Sequence, residues 1–95
     1  METILIVDDE PDIRHIVSYV LREHNFNVEE AKDGKEALNA FAKTRPDLVV
    51  LDIKMPGMNG WEVCQAIRRQ STVPIIFLSS KDDEVDELLG LKLGA

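Results

Sequence analysis

Ninety-five residues, 44% of them apolar and 31% charged, form one domain near the small end for a self-sufficient core, and the apolar share argues against disorder. A net charge of −7 speaks against sequence-independent nucleic-acid binding, or attraction to anionic membrane, by this segment. Cys64 is the only cysteine, which excludes a disulfide framework and a cysteine metal site; without a signal-peptide pattern or a run of transmembrane length, the expected location is the cytoplasm.

Strand and helix patterns alternate along the chain, as in an α/β domain with crossover connections. The first strand is expected over Thr3 to Val7. The next segment opens with Pro11, suited to a first helical turn, and carries Ile13, Ile16, Val17, Val20 and Leu21 at one-face helical spacing up to about Asn25. A weaker strand follows over Asn27 to Ala31. Asp33, with Glu36 three residues on, signals the start of a second helix that buries Ala37, Leu38 and Phe41 and stops before Pro46. The third strand is Leu48 to Asp52, followed by a turn-rich loop over Met55 to Gly60 and a helix from about Trp61 to Arg69. Cys64 falls in that helix beside Trp61 and Ile67, where a packed core thiol is expected. Pro74 to Leu78 reads as the fourth strand and Asp82 onward as a fourth helix burying Val85, Leu88 and Leu89, with Gly94 as its cap. His15 and His24 have no ligand partner at metal-binding spacing and read as exposed helix residues.

Three of these strands are uninterrupted apolar runs that end in polar residues. Ile4-Leu5-Ile6-Val7 leads into Asp8-Asp9, Leu48-Val49-Val50-Leu51 into Asp52, and Ile75-Ile76-Phe77-Leu78 into Ser79. Such runs fit strands buried on both faces of a parallel sheet, whose ligand site lies beyond the carboxyl ends of the strands. Clustered acids raise one another's pKa, and a hard divalent cation such as Mg²⁺ relieves the repulsion while making room for a phosphoryl group. Asp52, alone at the end of a central strand, is the candidate nucleophile for an aspartyl phosphate, while the Asp8-Asp9 pair suits a metal. Ser79 can donate to a phosphoryl oxygen. Each of these residues taken singly could be no more than a cap, but all four at matching strand ends point to a site.

Ile4 to Glu10, Leu51-Asp52-Ile53-Lys54-Met55-Pro56-Gly57-Met58-Asn59-Gly60 and Pro74 to Ser80 together resemble the receiver domain of bacterial two-component response regulators, over residues 1–95. The resemblance implies a flavodoxin-like, doubly wound parallel sheet of order 2-1-3-4, the family's fifth strand and last helix lying past the point where this sequence stops. It implies Asp52 as phosphoacceptor, Asp9 as direct Mg²⁺ ligand, Asp8 as a ligand through water, the backbone carbonyl of Lys54 as a third protein ligand, and Ser79 as the hydroxyl that swings to the phosphoryl group. It also implies a sensor histidine kinase as partner and a domain that catalyses its own phosphorylation and dephosphorylation without being a turnover enzyme. The final Leu88-Leu89-Gly90-Leu91-Lys92-Leu93-Gly94-Ala95 is similar to receivers attached to winged-helix transcription factors.

Two other classes share parts of this pattern. A Mg²⁺-dependent aspartyl-phosphate phosphohydrolase would carry Asp-x-Asp after its first strand, and Asp8-Asp9 lacks the spacer. A flavin binder of the same fold needs a Ser, Thr or Gly-rich phosphate loop there, and Asp8-Asp9-Glu10 would repel the phosphate. With the fourth strand at a sheet edge, the 95-residue polypeptide is expected to form dimers or larger species.

Overall fold

The apolar runs assemble into one four-stranded parallel sheet of order β2-β1-β3-β4, in a computed structural model that describes residues 2–78. The elements in chain order are β1 (Thr3–Val7), α1 (Pro11–Glu23), β2 (Asn27–Ala31), α2 (Gly34–Thr44), β3 (Leu48–Asp52), α3 (Gly60–Arg68) and β4 (Ile75–Leu78). The expected fourth helix, its Gly94 cap and Ser79 lie outside the described residues. β1 is central, with Val7 opposite Ala31 on one side and Leu51 on the other, and Asp52 faces Leu78 across the β3–β4 pair.

Alternation along the strands divides the interior into two layers. Leu5, Val7, Val49, Leu51, Ile75 and Phe77 point to one face, where they pack with Ala37 and Phe41 of α2 and with Val63, Cys64 and Ile67 of α3. Ile4, Ile6 and Val50 point to the other, toward Val17 and Leu21 of α1. Burying both faces explains why these strands read as continuous apolar runs. Cys64 is a core thiol as expected, and burial pushes it above the ordinary thiol range, so it is protonated at neutral pH. Trp61 tilts against Phe77 with ring centroids 4.6 Å apart.

The helix starts follow from local chemistry. Asp33 caps α2, its carboxylate accepting from the Glu36 amide at 2.8 Å. Asn59 caps α3 in a reciprocal box, accepting from the Glu62 amide at 3.0 Å while Glu62 accepts from the Asn59 amide at 2.9 Å. α3 therefore begins at Gly60, one residue before the expected Trp61. β4 begins at Ile75, because Pro74 has no N–H for a ladder, though its carbonyl still accepts from the Val49 amide at 3.0 Å.

α1 departs from the expected pattern in how it sits. Its fully buried residue is Ser18, Val17 and Leu21 are half-buried, and Ile13, Ile16 and Val20 are exposed. The apolar stripe is wider than the contact, and the small Ser18 lies where helix and sheet approach. His15 and His24 are exposed, as expected; His15 lies 3.6 Å from Glu30, and His24 Nδ1 is 2.9 Å from the Val20 carbonyl oxygen.

Candidate metal centre

β1 and β3 are neighbours whose connections leave in opposite directions, β1 toward β2 and β3 toward β4. That divergence opens a crevice at their carboxyl ends, and there the sequence puts its acids. Asp8, Asp9 and Asp52 each offer a carboxylate oxygen such that all three atoms lie within 4.8 Å of one another. Asp8 and Asp52 are buried, at 3% and 4% exposure, while Asp9 is half-buried at the rim. The structure thus brings together the three carboxylates expected from the sequence. Ser79 lies outside the described residues, one position beyond the end of β4 at Leu78. Lys54 is exposed two residues past Asp52.

Backbone amides hold two of the acids. Asp8 accepts from the Glu10 amide at 2.9 Å, and Asp52 from the Lys54 amide at 3.3 Å. These bonds favour the charged forms but do not prevail. Burial, and after it the charge of Asp8, pushes Asp52 up to about 7, and burial likewise raises Asp8 from its ordinary value. A cluster this frustrated is poised for a cation. Its donor set, three carboxylates with oxygens within 4.8 Å of one another, fits Mg²⁺, which takes few carboxylates and keeps water and phosphate oxygens in its shell.

The loop after β3 is shaped by a close backbone approach. The Gly60 amide donates to the Ile53 carbonyl at 2.9 Å, and a Cβ at Gly60 would lie 2.3 Å from the Asp52 carbonyl oxygen and 2.7 Å from Ile53 Cα. Only glycine fits there. Met55, buried in the main core cluster, anchors the same loop from beneath. By sequence Gly60 closes a turn-rich loop, whereas in the structure the Asn59-x-x-Glu62 cap places it inside the first turn of α3.

Arg14 reaches the same site from α1. Its Nη1 donates to the Asp8 carbonyl at 2.8 Å and its Nε to Glu30 Oε1 at 3.0 Å. No local pattern marks it, because both partners are remote in sequence or on the backbone.

A family profile described as "Response regulator receiver domain" matches residues 4–95. The "DNA-binding response regulator MtrA" of Mycolicibacterium smegmatis is 47% identical over 94 residues, covering 99% of this chain and 41% of the relative. A "Probable transcriptional regulator ycf27" of Guillardia theta is 50% identical over 94 residues, covering 99% of this chain and 37% of its own. The chain therefore spans about two fifths of the length of these curated relatives. Among solved structures, the chemotaxis protein CheY4 of Vibrio cholerae superposes with a TM-score of 0.90 at 38% identity, covering 100% of this chain and 82% of that one. The response regulator TrrA of Thermotoga maritima, solved in complex with Mg²⁺ and BeF, gives a TM-score of 0.84 at 40% identity over 93% of this chain and 77% of that one. Receiver domains bind Mg²⁺ at an acidic pocket and are phosphorylated by sensor histidine kinases. By profile, by sequence and by fold, this chain belongs to the response regulator receiver family.

Proposed function

We propose that Asp52 is the phosphoacceptor of a Mg²⁺-dependent receiver acting within a transcriptional response regulator. The observation that carries this reading is the convergence of Asp8, Asp9 and Asp52 oxygens within 4.8 Å at the switch point between β1 and β3. Asp9 would hold Mg²⁺ directly, Asp8 through water, and Asp52 and the Lys54 backbone carbonyl would complete the protein ligands. Bound there, the cation would neutralise charge between the carboxylates and the incoming phosphoryl oxygens. An Asp52 oxygen attacks the phosphorus of a kinase phosphohistidine; the new O–P bond forms as the N–P bond breaks, and the imidazole leaves with the electron pair. Burial and the charge of Asp8 hold a proton on Asp52 that must leave before it can attack, and a bound cation would favour that loss. Ser79 follows directly on β4, and its role as hydrogen-bond donor to the phosphoryl group rests on the family resemblance. Water later cleaves the acyl phosphate, so the chain acts on itself and is not a turnover enzyme.

Incubation with acetyl phosphate and Mg²⁺, followed by trapping of the acyl phosphate, tests this reading. Labelling is expected in the wild type and not in Asp52→Asn or in EDTA; equal labelling of the variant would refute the assignment. The MtrA and ycf27 relatives support a transcriptional output for the whole protein. Self-association of the 95-residue polypeptide is supported by β4, which among the described residues pairs only with β3 and leaves Ile76 half exposed.

A further inference from the structure

Asp8 is held from three directions, and the one hold on the peptide that joins it to Asp9 comes from a residue with no place in the metal site itself. The Asp8 amide donates to the Ala31 carbonyl of β2 at 3.1 Å, which fixes the strand end. The Asp8 carboxylate accepts from the Glu10 amide at 2.9 Å, which closes the turn. The third hold is Arg14. Side chains on a helix tilt toward its N-terminus, so an arginine in the first turn of α1 reaches back over the end of β1. There its Nη1 donates to the Asp8 carbonyl at 2.8 Å while its Nε bonds Glu30 at 3.0 Å.

The fork is well anchored. The Arg14 side chain is only 14% exposed, and Glu30 in turn lies 3.5 Å from Arg22 and 3.6 Å from His15. A planar guanidinium with one prong on a carbonyl and another on a fixed carboxylate holds the peptide plane rigidly, which a single ammonium cannot do. The plane it holds is the one joining the two acids. Those acids repel each other and the nearby Asp52, so a loose Asp8–Asp9 peptide would let Asp9, at the rim, swing away.

We infer that Arg14 is a positioning residue, which clamps the Asp8–Asp9 peptide to β2 through Glu30 and so holds the two carboxylates in the orientation that binds a divalent cation. The inference rests on the reading of the site as a Mg²⁺ centre and adds to it a residue that touches neither metal nor phosphoryl group. Its sign separates it from plain electrostatics. Arg14 is a cation beside a cation site, so by charge alone its removal would tighten Mg²⁺ binding. A clamp predicts the opposite, and outer partners of metal ligands typically matter by about 10-fold or more.

The test is a Mg²⁺ titration of the full chain, followed by the amide NMR signals of Asp9 and Glu10. Arg14→Met retains the aliphatic stem while removing the charge and both donors. Its dissociation constant for Mg²⁺ is expected to rise about 10-fold, with the Asp9 and Glu10 signals shifted even before metal is added. Arg14→Lys retains the charge without the fork and is expected to lose at least about 3-fold; it carries the test if Arg14→Met does not fold. Arg22→Met loosens Glu30 without touching Asp8 and should stay within about 2-fold of wild type. Wild-type protein that binds no Mg²⁺ would overturn the metal-site reading and this inference with it. Wild-type binding matched or exceeded by the folded Arg14 variant would overturn the clamp alone.

Discussion

Replacing Asp52 by Asn should stabilise the metal-free protein, by an amount whose pH dependence identifies its origin. Burial and the charge of Asp8 raise Asp52 from an ordinary 3.8 to about 7. Between those values the native state retains a proton that the unfolded chain has released, so stability falls as pH rises. Below the lower value both states are protonated and Asp52 costs nothing; above the upper value both are ionised and the native state bears the whole cost. A separation of about 3 pH units corresponds to an upper limit of about 4 kcal/mol, and screening by water at the mouth of the crevice lowers it to roughly 2–4 kcal/mol. The Asn amide has nearly the same shape, and its oxygen can still accept from the Lys54 amide, as Asp52 does at 3.3 Å. Urea unfolding in EDTA is therefore expected to show Asp52→Asn more stable than wild type by about 2–4 kcal/mol at pH 8 and by about 1 kcal/mol or less at pH 4.5. Taking the difference between the two proteins cancels the general effect of a net charge of −7. Adding Mg²⁺ should then stabilise wild type, by about 1.4 kcal/mol at ten times its dissociation constant, and leave the variant far less changed. A stability difference that is absent, or constant with pH, would refute the claim that ionised Asp52 strains this fold.

Gly60→Ala should be severe for its size, because the new Cβ would meet the Asp52 carbonyl oxygen at 2.3 Å and neither backbone can yield cheaply; a loss of about 1–3 kcal/mol in chemical unfolding and a marked drop in acetyl phosphate labelling are expected. Ser18→Ala should stabilise by about 1 kcal/mol, since the Ser18 hydroxyl is fully buried with no hydrogen-bond partner among the described residues and alanine is the better helix former; unfolding midpoints with an unchanged slope would confirm it. The 95-residue polypeptide should elute as a dimer or larger species, and Ile76→Lys on the exposed side of β4 should shift it toward monomer by light scattering; a monomeric wild type would refute edge pairing.

Much of this architecture was legible because period and punctuation agree. Runs such as Ile4 to Val7 and Leu48 to Leu51 are too short for helices and too apolar for half-exposed strands, so buried parallel strands were the consistent reading, and β1, β2 and β3 carry the expected bounds. Asp8, Asp9 and Asp52 were legible for the same reason, since a parallel sheet delivers every strand end to one edge. What escaped the sequence depends on distance. The α1 stripe from Ile13 to Leu21 is helical, but which part of it meets the sheet depends on how closely the helix docks, and Ser18 at that contact shows no periodic signal. Arg14 looks like any solvent-facing arginine until β2 brings Glu30 beneath it. Gly60 looks like a turn residue until α3 is seen to start against the Asp52 carbonyl.

The same geometry links stability to chemistry. Asp52 ends the central strand β3 and Asp8 directly follows the central strand β1, Gly60 presses the following loop against the backbone of Asp52, and Arg14 fixes the peptide that joins Asp8 to Asp9. None of these groups can relax far when the carboxylates ionise, so the repulsion persists in the native state. A flexible acidic loop would instead spread its charges and bind a cation at an entropic cost. Here the acids are held close in advance, and a cation or a phosphoryl group bound there would change the energy of the core edge directly. Because Asp52 faces Leu78 across β3 and β4, such a change is felt first at the end of β4, where the chain continues into Ser79. A phosphoryl group on Asp52, as proposed, would therefore act at the strand end from which a conformational response can spread.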